Sequence, residues 1–268
     1  MQYSTFAAID IGSYDVILEI FEISKKQGIR SVDKICHRME LGKDTYTLGK
    51  IRPEMEEELC RVLADFVRIM EGYRVDDYRA TASSAISEAS NSLYVLGKIH
   101  QLTGLSVTVL SNSEQRFLSY KALAAMEDNF NKIIEKGTAI LDLDGGSFQI
   151  SLFDKDALVT TQNIRMGSLR IRERLAGIQS ETEHYEEMVE ELIWNEVSSF
   201  KKMYLKDRKI ENIMLIGDVF TDSVYQNIEE KTTKIISREN FNTWYEKIIR
   251  QSPMELAVKL GIPLENAS

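Results

Sequence analysis

The sequence predicts an α/β protein of two duplicated halves with a cleft between them, and three observations support this. IDIGSYDVILEIF, beginning at Ile9, and LDLDGGSFQISLF, beginning at Leu141, share one pattern: an apolar strand carrying an Asp, a turn and a second strand. Segments with helical periodicity follow each copy. With 268 residues, 43% of them hydrophobic, the chain can bury a sizeable core. We place the boundary near residues 128–137, which gives predicted domains at 1–130 and 131–268.

The first half is predicted to open with a hairpin and then to alternate helices with strands. Residues 5–23 give two strands around the turn IGSYD, and RSVDKICHRMEL continues as a third strand. Residues 51–73 form a predicted helix, because Pro53 lies near its start and apolar residues recur at helical spacing. The later elements are a strand entering a Ser- and Ala-rich loop (DDYRATASSAI), a helix (SLYVLGKIHQLTG), a strand (LSVTVLS) and a helix (EQRFLSYKALAAMEDNF).

The second half starts the same pattern again. KGTAILDLDGGSFQISLFDKDALVTTQNIRMG predicts a strand, a glycine turn and two further strands. A helical segment follows (EHYEEMVEELIWNEVSSFKKMYL), then a strand and loop (NIMLIGDVFTD), then a further helical region. The repetition predicts a duplicated fold.

Charge and cysteine content exclude several classes of protein. The net charge is -9, so an acidic surface repels nucleic acid and anionic membranes, and neither is an expected partner. The two cysteines form no CxxC motif, which excludes a disulfide scaffold and a zinc-finger spacing. The N-terminus does not resemble a signal peptide, and no apolar run approaches the roughly 18 residues that span a bilayer. The cytoplasm is the simplest compartment.

The two glycine turns suggest phosphate binding. A turn of Gly and Ser exposes successive backbone N–H groups that suit an anion, and glycine lets the phosphate approach the backbone closely. Asp10 and Asp142 carry carboxylates on the preceding strands, where they could hold hydrated Mg²⁺. Each motif alone could be a plain hairpin without a ligand, and only the repetition favours the phosphate interpretation.

Six motifs in order carry a resemblance to a known family: AAIDIGSYDVILEI, ASSAISEASN, LSNSEQRFLSYKAL, LDLDGGSFQISLF, RMGSLRIRE and LIGDVFT. The chain resembles the exopolyphosphatase/guanosine pentaphosphate phosphatase (Ppx/GppA) family of the actin–sugar kinase–Hsp70 superfamily. That resemblance implies two actin-like (ribonuclease H-like) domains, cleavage of terminal phosphoanhydride bonds, Mg²⁺ on acidic residues and a Glu as general base. GIPLEN at 261–266 resembles a family segment that a closing helix and strand follow, so we expect a fragment or a shortened member.

The resemblance also implies roles for particular residues. Phosphate contacts are expected from Gly12, Ser13, Gly145, Gly146, Ser147 and Gly217. Metal ligands are expected from Asp10 and Asp142, with Asp144 as a further candidate. Glu114 is retained in the motif that supplies the base.

At several positions this chain lacks the residue type that the resemblance implies. The expected base corresponds to Gln115, whose amide cannot accept a proton near neutral pH, and a second expected Glu is Gln149. Ser87 stands where an Arg should bind phosphate. Asp144 replaces a glycine of the second loop, and the loop at 217–221 reads GDVFT where two glycines and a Thr are expected.

Three functions remain open, and the changed site favours the first. The chain is either a catalytically degenerate homologue with a binding, regulatory or assembly role, or an active phosphatase with a rearranged site. In the active case Glu114 would act as base, Asp144 or Asp218 would replace metal ligands, and the substrate would be polyphosphate or guanosine pentaphosphate. Another nucleotide-binding activity ranks last, because no adenosine-pocket signature is visible. A homodimer is compatible with either leading interpretation.

Overall fold

The computed structural model describes residues 3–126, 129–177, 184–206, 208–217 and 237–260. The loop at 218–222 and the segment GIPLEN, on which two of the sequence-based expectations fall, lie outside these residues.

The first sheet has five strands in the order β3-β2-β1-β4-β5. The antiparallel meander β1–β2–β3 continues into two strands parallel to β1, with Asp10 paired to Ile17 of β2 and to Thr81 of β4. The strands are β1 (Ser4–Ile11), β2 (Asp15–Ser24), β3 (Gly28–Arg38), β4 (Asp77–Ala82) and β5 (Val107–Val109). All five were expected from the sequence.

The second sheet has four strands in the order β8-β7-β6-β9. Asp142 of β6 pairs with Ile216 of the parallel strand β9. The strands are β6 (Thr138–Leu143), β7 (Phe148–Asp154), β8 (Ala157–Ile164) and β9 (Asn212–Ile216). This order repeats β3-β2-β1-β4 of the first sheet, and with the structural matches reported below it confirms the α/β fold of duplicated actin-like halves. The cleft and the boundary at residue 130 stay predictions.

The helices largely follow the predicted positions. The helix expected at 51–73 begins at Pro53, and the segment expected to be helical at 114–130 includes most of α5 and the first residue of α6. The helices are α1 (Leu41–Leu48), α2 (Pro53–Tyr73), α3 (Ser84–Ser87), α4 (Ser92–Thr103), α5 (Asn112–Met126), α6 (Phe130–Ile134), α7 (Ser168–Leu175), α8 (Tyr185–Phe200, continued by a π-helical turn at Lys201–Leu205), α9 (Arg238–Ile248) and α10 (Pro253–Leu260). None of the described helices is long and apolar enough to cross a membrane.

The chain divides into two compact units. The first takes in Met1–Ala122, Asp144–Phe148 and Asn163–Lys206, and the second takes in Leu123–Leu143, Gln149–Gln162 and Asp207–Ser268. The main hydrophobic core lies in the first unit and contains residues of the first sheet and of α2, among them Ile9, Leu18, Ile20, Leu59, Leu63 and Phe66. In the second unit the rings of Phe130 and Phe153 pack edge to face with centroids 6.5 Å apart.

Buried polar groups fix the turn between α1 and α2. Asp44, 1% exposed, accepts hydrogen bonds from the backbone and side chain of Arg52 at 2.9 Å. Asn91 donates to the carbonyl of Ile51 and to Glu56, which also pairs with Lys98. Because each buried carboxylate has a cationic or amide partner, the desolvation cost is offset. This network sets where α1 lies, and α1 carries a residue of the site described below.

Two isoleucines of the first sheet should respond differently to truncation. Ile20 is fully buried in the core and Ile29, on the edge strand β3, is 70% exposed. We expect Ile20→Ala to lower the free energy of unfolding by about 2–5 kcal/mol, because a cavity replaces packed atoms. The matched change Ile29→Ala should alter it by less than about 0.5 kcal/mol. Urea unfolding followed by circular dichroism measures both, and equal losses would contradict this placement of the core.

Candidate functional site

The two glycine turns have the same backbone geometry. The N–H of Gly12 donates to the carbonyl of Asp15 at 2.9 Å, and the N–H of Asp144 donates to the carbonyl of Ser147 at 3.0 Å. The duplication therefore extends to the turns, and Asp144 occupies the position that Gly12 has in the first copy. The turn at 12–15 and the turn at 144–147 both belong to the first compact unit.

Three hydroxyl groups meet beside the first turn. The Oγ of Ser13, which is 1% exposed, lies 2.7 Å from the Oη of Tyr46 and 3.3 Å from the Oγ of Ser84. The Tyr46 and Ser84 hydroxyls are 2.8 Å apart. Burial raises the pKa of Tyr46, and hydrogen bonds from the two serines only partly oppose this, so the phenol stays neutral. The Ser13 hydroxyl, an expected phosphate contact, thus has its partners within the chain.

The glycines of the second turn lie against aromatic side chains. A Cβ on Gly145 would come within 2.7 Å of the ring of Tyr14 and 3.3 Å of the Cβ of Ser13. A Cβ on Gly146 would overlap the Tyr46 hydroxyl and the Ser84 Oγ. Glycine is required at both positions for packing, independently of any ligand.

Asp144 turns its carboxylate back onto its own loop. Its Oδ1 accepts a hydrogen bond of 2.6 Å from the N–H of Gly145. One of the N–H groups expected to face a phosphate is therefore already bonded to a carboxylate.

Arg170, which lies in the RMGSLRIRE motif, contacts several groups of the first unit. Its Nε donates to the carbonyl of Gly146 at 2.8 Å, and its Nη2 contacts both oxygens of Glu88 at 2.9 and 3.0 Å. The guanidinium lies 3.9 Å from the centroid of the Tyr46 ring, a cation–π distance. The positive charge of Arg170 is thus paired with Glu88.

A second arginine is paired in the same way. Arg172 contacts Glu40 at 3.0 and 2.6 Å, and Arg38 lies 3.4 Å from the same carboxylate. Burial alone would raise the pKa of Glu40, but the hydrogen bonds and charges of Arg172 and Arg38 outweigh it and lower the pKa.

Tyr14 is hydrogen-bonded to Ser168, and burial raises its pKa. The ring that covers Gly145 is therefore a neutral phenol.

Glu114, the surviving acid of the base motif, caps a helix. Its Oε2 accepts from the N–H of Ser111 at 2.9 Å and from the Ser111 hydroxyl at 2.7 Å, just before α5. These bonds, the backbone one first, lower the pKa of Glu114. Ser252 and Glu255 form the same arrangement at α10, with bonds of 2.9 and 2.8 Å and a lowered pKa for Glu255. The geometry of Glu114 is that of a capping box.

Three expected site residues lie in the second unit. Asp142 is half-buried on β6. Gly217 has a φ of +141°, and a Cβ there would lie 2.8 Å from the carbonyl oxygen of Leu143, so this position needs glycine. Gln149 is 5% exposed, and its buried Oε1 has no hydrogen-bond partner among the residues that the structure describes. In the first unit, Asp10 is exposed, with its carboxylate 3.4 Å from the hydroxyl of Thr81.

The magnesium site that the resemblance implies has fewer carboxylates in this chain. A hard cation needs charged oxygens, and Gln115 and Gln149 are neutral where the resemblance implies carboxylates. The carboxylate of Asp144 is engaged by the N–H of Gly145. Among the residues the structure describes, no group of three His, Cys, Asp or Glu side chains converges as ligands. The assignment of Asp10, Asp142 and Asp144 to a metal stays a prediction.

Several residues around the turns were not expected from the sequence. Glu88 and Ser84 lie in the ASSAISEASN motif, which marked the region but not their contacts. Arg172 lies in the RMGSLRIRE motif, which did not predict its contacts. Tyr46 and Glu40 carry no signal in the sequence, because their roles depend on tertiary packing. The catalytic role of Glu114 and Gln115 stays a prediction, as do the phosphate contacts of the glycines.

The fold and the paired glycine turns define a protein of the actin-like class. Within that class the chain belongs to the Ppx/GppA phosphatase family, whose sequence model matches residues 19–260. Solved structures of the family have the same fold. An exopolyphosphatase from Cytophaga hutchinsonii matches with a TM-score of 0.80 at 18% identity, over 98% of this chain and 86% of that one. An Aquifex aeolicus family member matches with a TM-score of 0.73 at 20% identity, over 99% and 86%.

The curated relatives are longer proteins, of which this chain matches only a part. A bifunctional 3-dehydroquinate synthase/phosphatase of Fusobacterium nucleatum is 22% identical over 238 residues, which cover 84% of this chain and 34% of that protein. Exopolyphosphatase 1 of Mycobacterium leprae is 25% identical over 144 residues, which cover 53% of this chain and 41% of that protein. The matched part of the chain thus spans less than half of each of these relatives.

Gly146 should not tolerate a side chain. We expect Gly146→Ala to lower the free energy of unfolding by about 1–3 kcal/mol, because the new Cβ meets the Tyr46 hydroxyl and Ser84. Gly97, in the middle of α4, has open space around it, so Gly97→Ala should instead stabilise by about 0.5–1 kcal/mol. Chemical unfolding measures both changes. In a Tyr46→Phe background the loss at Gly146 should shrink, and an unchanged loss would show that the hydroxyl is not the obstacle.

The Glu40–Arg172 pair should make a pH-dependent contribution to stability. Because the pKa of Glu40 is lowered by folding, its carboxylate stabilises the fold above its ordinary value of 4.5, and this contribution is lost as the pH falls through the lower folded value. We expect Glu40→Gln to cost about 1–2 kcal/mol at pH 7 and less at pH 3. The exposed pair of Glu22 with Arg30 supplies the control, Glu22→Gln, which should cost under about 1 kcal/mol at pH 7. Equal costs of Glu40→Gln at both pH values in urea unfolding would contradict the assignment.

Proposed function

We propose that this chain is a catalytically degenerate member of the Ppx/GppA phosphatase family, with weak or lost phosphoanhydride hydrolysis and a binding or regulatory role. The observation that carries the proposal is the capping box of Glu114. This side chain is the one acid left in the motif from which the family base is expected. Its carboxylate is bonded to the N–H and the hydroxyl of Ser111.

The capping geometry opposes general-base catalysis for a simple reason. A base works best when its pKa lies near the working pH, which for a carboxyl group requires the pKa to be raised. The bonds from Ser111 lower the pKa of Glu114 instead. The neighbouring Gln115 has an amide that cannot take up a proton. Loss of a positioned base alone costs about 10²–10⁴-fold in rate.

The charges around the turns support the same proposal. Gln149 contributes no negative charge to a cation, and within the described part of the chain its buried amide oxygen has no hydrogen-bond partner. Arg170 and Arg172 are paired with Glu88 and Glu40, which reduces their attraction for a phosphate group. Loss of electrostatic stabilisation typically lowers the rate by a further factor of about 10²–10³, although the two effects are not additive.

The alternative is an active exopolyphosphatase or guanosine pentaphosphate phosphatase with a rearranged Mg²⁺ site. Retention of Asp10 and Asp142 favours it, as does similarity to proteins named exopolyphosphatase. In that case the metal would be held by Asp10, Asp142 and Asp144, and polyphosphate or guanosine pentaphosphate would be the substrate. Under either function we place the protein in the cytoplasm, where cysteines such as Cys36 and Cys60 stay reduced, and we regard a homodimer as compatible.

Phosphate release separates the two functions. The purified chain is incubated with polyphosphate or guanosine pentaphosphate and Mg²⁺ or Mn²⁺, and we expect release no faster than in a blank. A Gln115→Glu/Gln149→Glu variant runs alongside, and a gain of activity there would identify the missing carboxylates as the cause. If the unmodified protein releases phosphate and Asp142→Ala abolishes this activity, the chain is not catalytically degenerate. Asp144 and Glu114 would then be the next residues to test.

A further inference from the structure

We propose that the second glycine turn is already occupied by an anion of the chain itself, the carboxylate of Asp144, which keeps free phosphate groups out. The proposal concerns binding and not hydrolysis. It rests on the geometry of the turn at 144–147 and does not depend on whether the chain retains a base.

The first step is the N–H of Gly145. A phosphate-binding turn works by directing unpaired backbone N–H groups at the ligand. Here the Oδ1 of Asp144 lies 2.6 Å from the nitrogen of Gly145. A carboxylate oxygen thus takes the place that a phosphate oxygen would need at this N–H, and it brings a negative charge that repels a second anion.

The second step is space. A ligand approaches a glycine turn where a side chain would otherwise stand. At Gly145 this space is taken by the ring of Tyr14, and at Gly146 by the hydroxyls of Tyr46 and Ser84. The two tyrosines are neutral, because burial raises the pKa of each. They fill the volume without offering a charge that could attract phosphate.

The third step is the cation. Arg170 reaches the turn through the carbonyl of Gly146, where it could have served a bound phosphate. Its Nη2 is instead bonded to both oxygens of Glu88. Together, Asp144 and Glu88 give the surroundings of the turn the negative charge that a bound phosphate would supply. The chain carries its own substitute for the ligand.

Removing the carboxylate should therefore create an anion site. The test measures binding of tripolyphosphate and of inorganic phosphate by calorimetry, without metal and at low salt, to the full chain. We expect Asp144→Gly to bind tripolyphosphate at least tenfold more tightly than the unmodified protein. The positive φ of Asp156, +60°, suits glycine, so Asp156→Gly in the turn between β7 and β8 is a control with the same change in net charge. It should bind like the unmodified protein.

A second variant separates occupancy from charge. Asp144→Asn loses the charge but keeps an oxygen that can accept from the N–H of Gly145, so we expect a clearly smaller gain than in Asp144→Gly. Equal gains in the Asn and Gly variants would overturn the proposal, because charge alone would then exclude phosphate. Tight binding by the unmodified protein would overturn it too, as would equal affinities of Asp144→Gly and Asp156→Gly. If Asp144→Gly fails to fold, Asp144→Ala takes its place with the same expected gain.

The two proposals fail in different ways. Binding of tripolyphosphate by the unmodified protein without any phosphate release would overturn the occupied turn and leave the degenerate function standing. Absence of binding in every variant would also overturn the occupied turn and leave the degenerate function standing. A gain of binding in Asp144→Gly with no release of phosphate is the result that supports both.

Discussion

The absence of side chains at a few glycines is the constraint on which the surroundings of the two turns depend. Gly146 lies directly against Tyr46 and Ser84, and Gly42 of α1 packs against Tyr46, Leu169 and Ser13. Gly167, just before α7, leaves no room for a Cβ beside the backbone of the second turn. The first hairpin, α1, α3 and α7 therefore meet around one small volume. The hydroxyls of Ser13, Tyr46 and Ser84 pair with one another there because the backbones approach so closely.

Pairing of charges is the second feature of this region. Arg170 with Glu88 and Arg172 with Glu40 are partly buried ion pairs, with side chains between 17% and 24% exposed. Pairs in such a setting contribute geometric definition more than net stability, because desolvation offsets much of the attraction. Their consequence for function is that arginines near the turns are no longer unpaired cations. The local chemistry is balanced internally, which contrasts with a site prepared for a polyanion.

The sequence predicted the fold well because strands and helices leave periodic signals. Pro53 and the apolar spacing after it located α2, and the repeated hairpin pattern located both sheets. The contacts of the site were harder to predict. A Ser three residues before a Glu is equally the pattern of a capping box and of an acid in a catalytic motif, so Glu114 could not be assigned from sequence alone. Tyr46 and Arg172 contact residues that are distant in the sequence. The correspondence between Gly12 and Asp144 is supported in the structure by the matching hydrogen bond that closes each turn.

The packing role of Gly145 and Gly146 has a consequence for how such motifs are interpreted. A glycine that is required because a neighbouring tyrosine leaves no room is retained by selection for folding, whether or not anything binds there. A Gly-Gly-Ser signature can therefore outlive its ligand, and family membership inferred from it reports ancestry and architecture. Positions 115, 144 and 149 differ in charge from what the resemblance implies, so they say more about the chemistry of this chain than the glycines do.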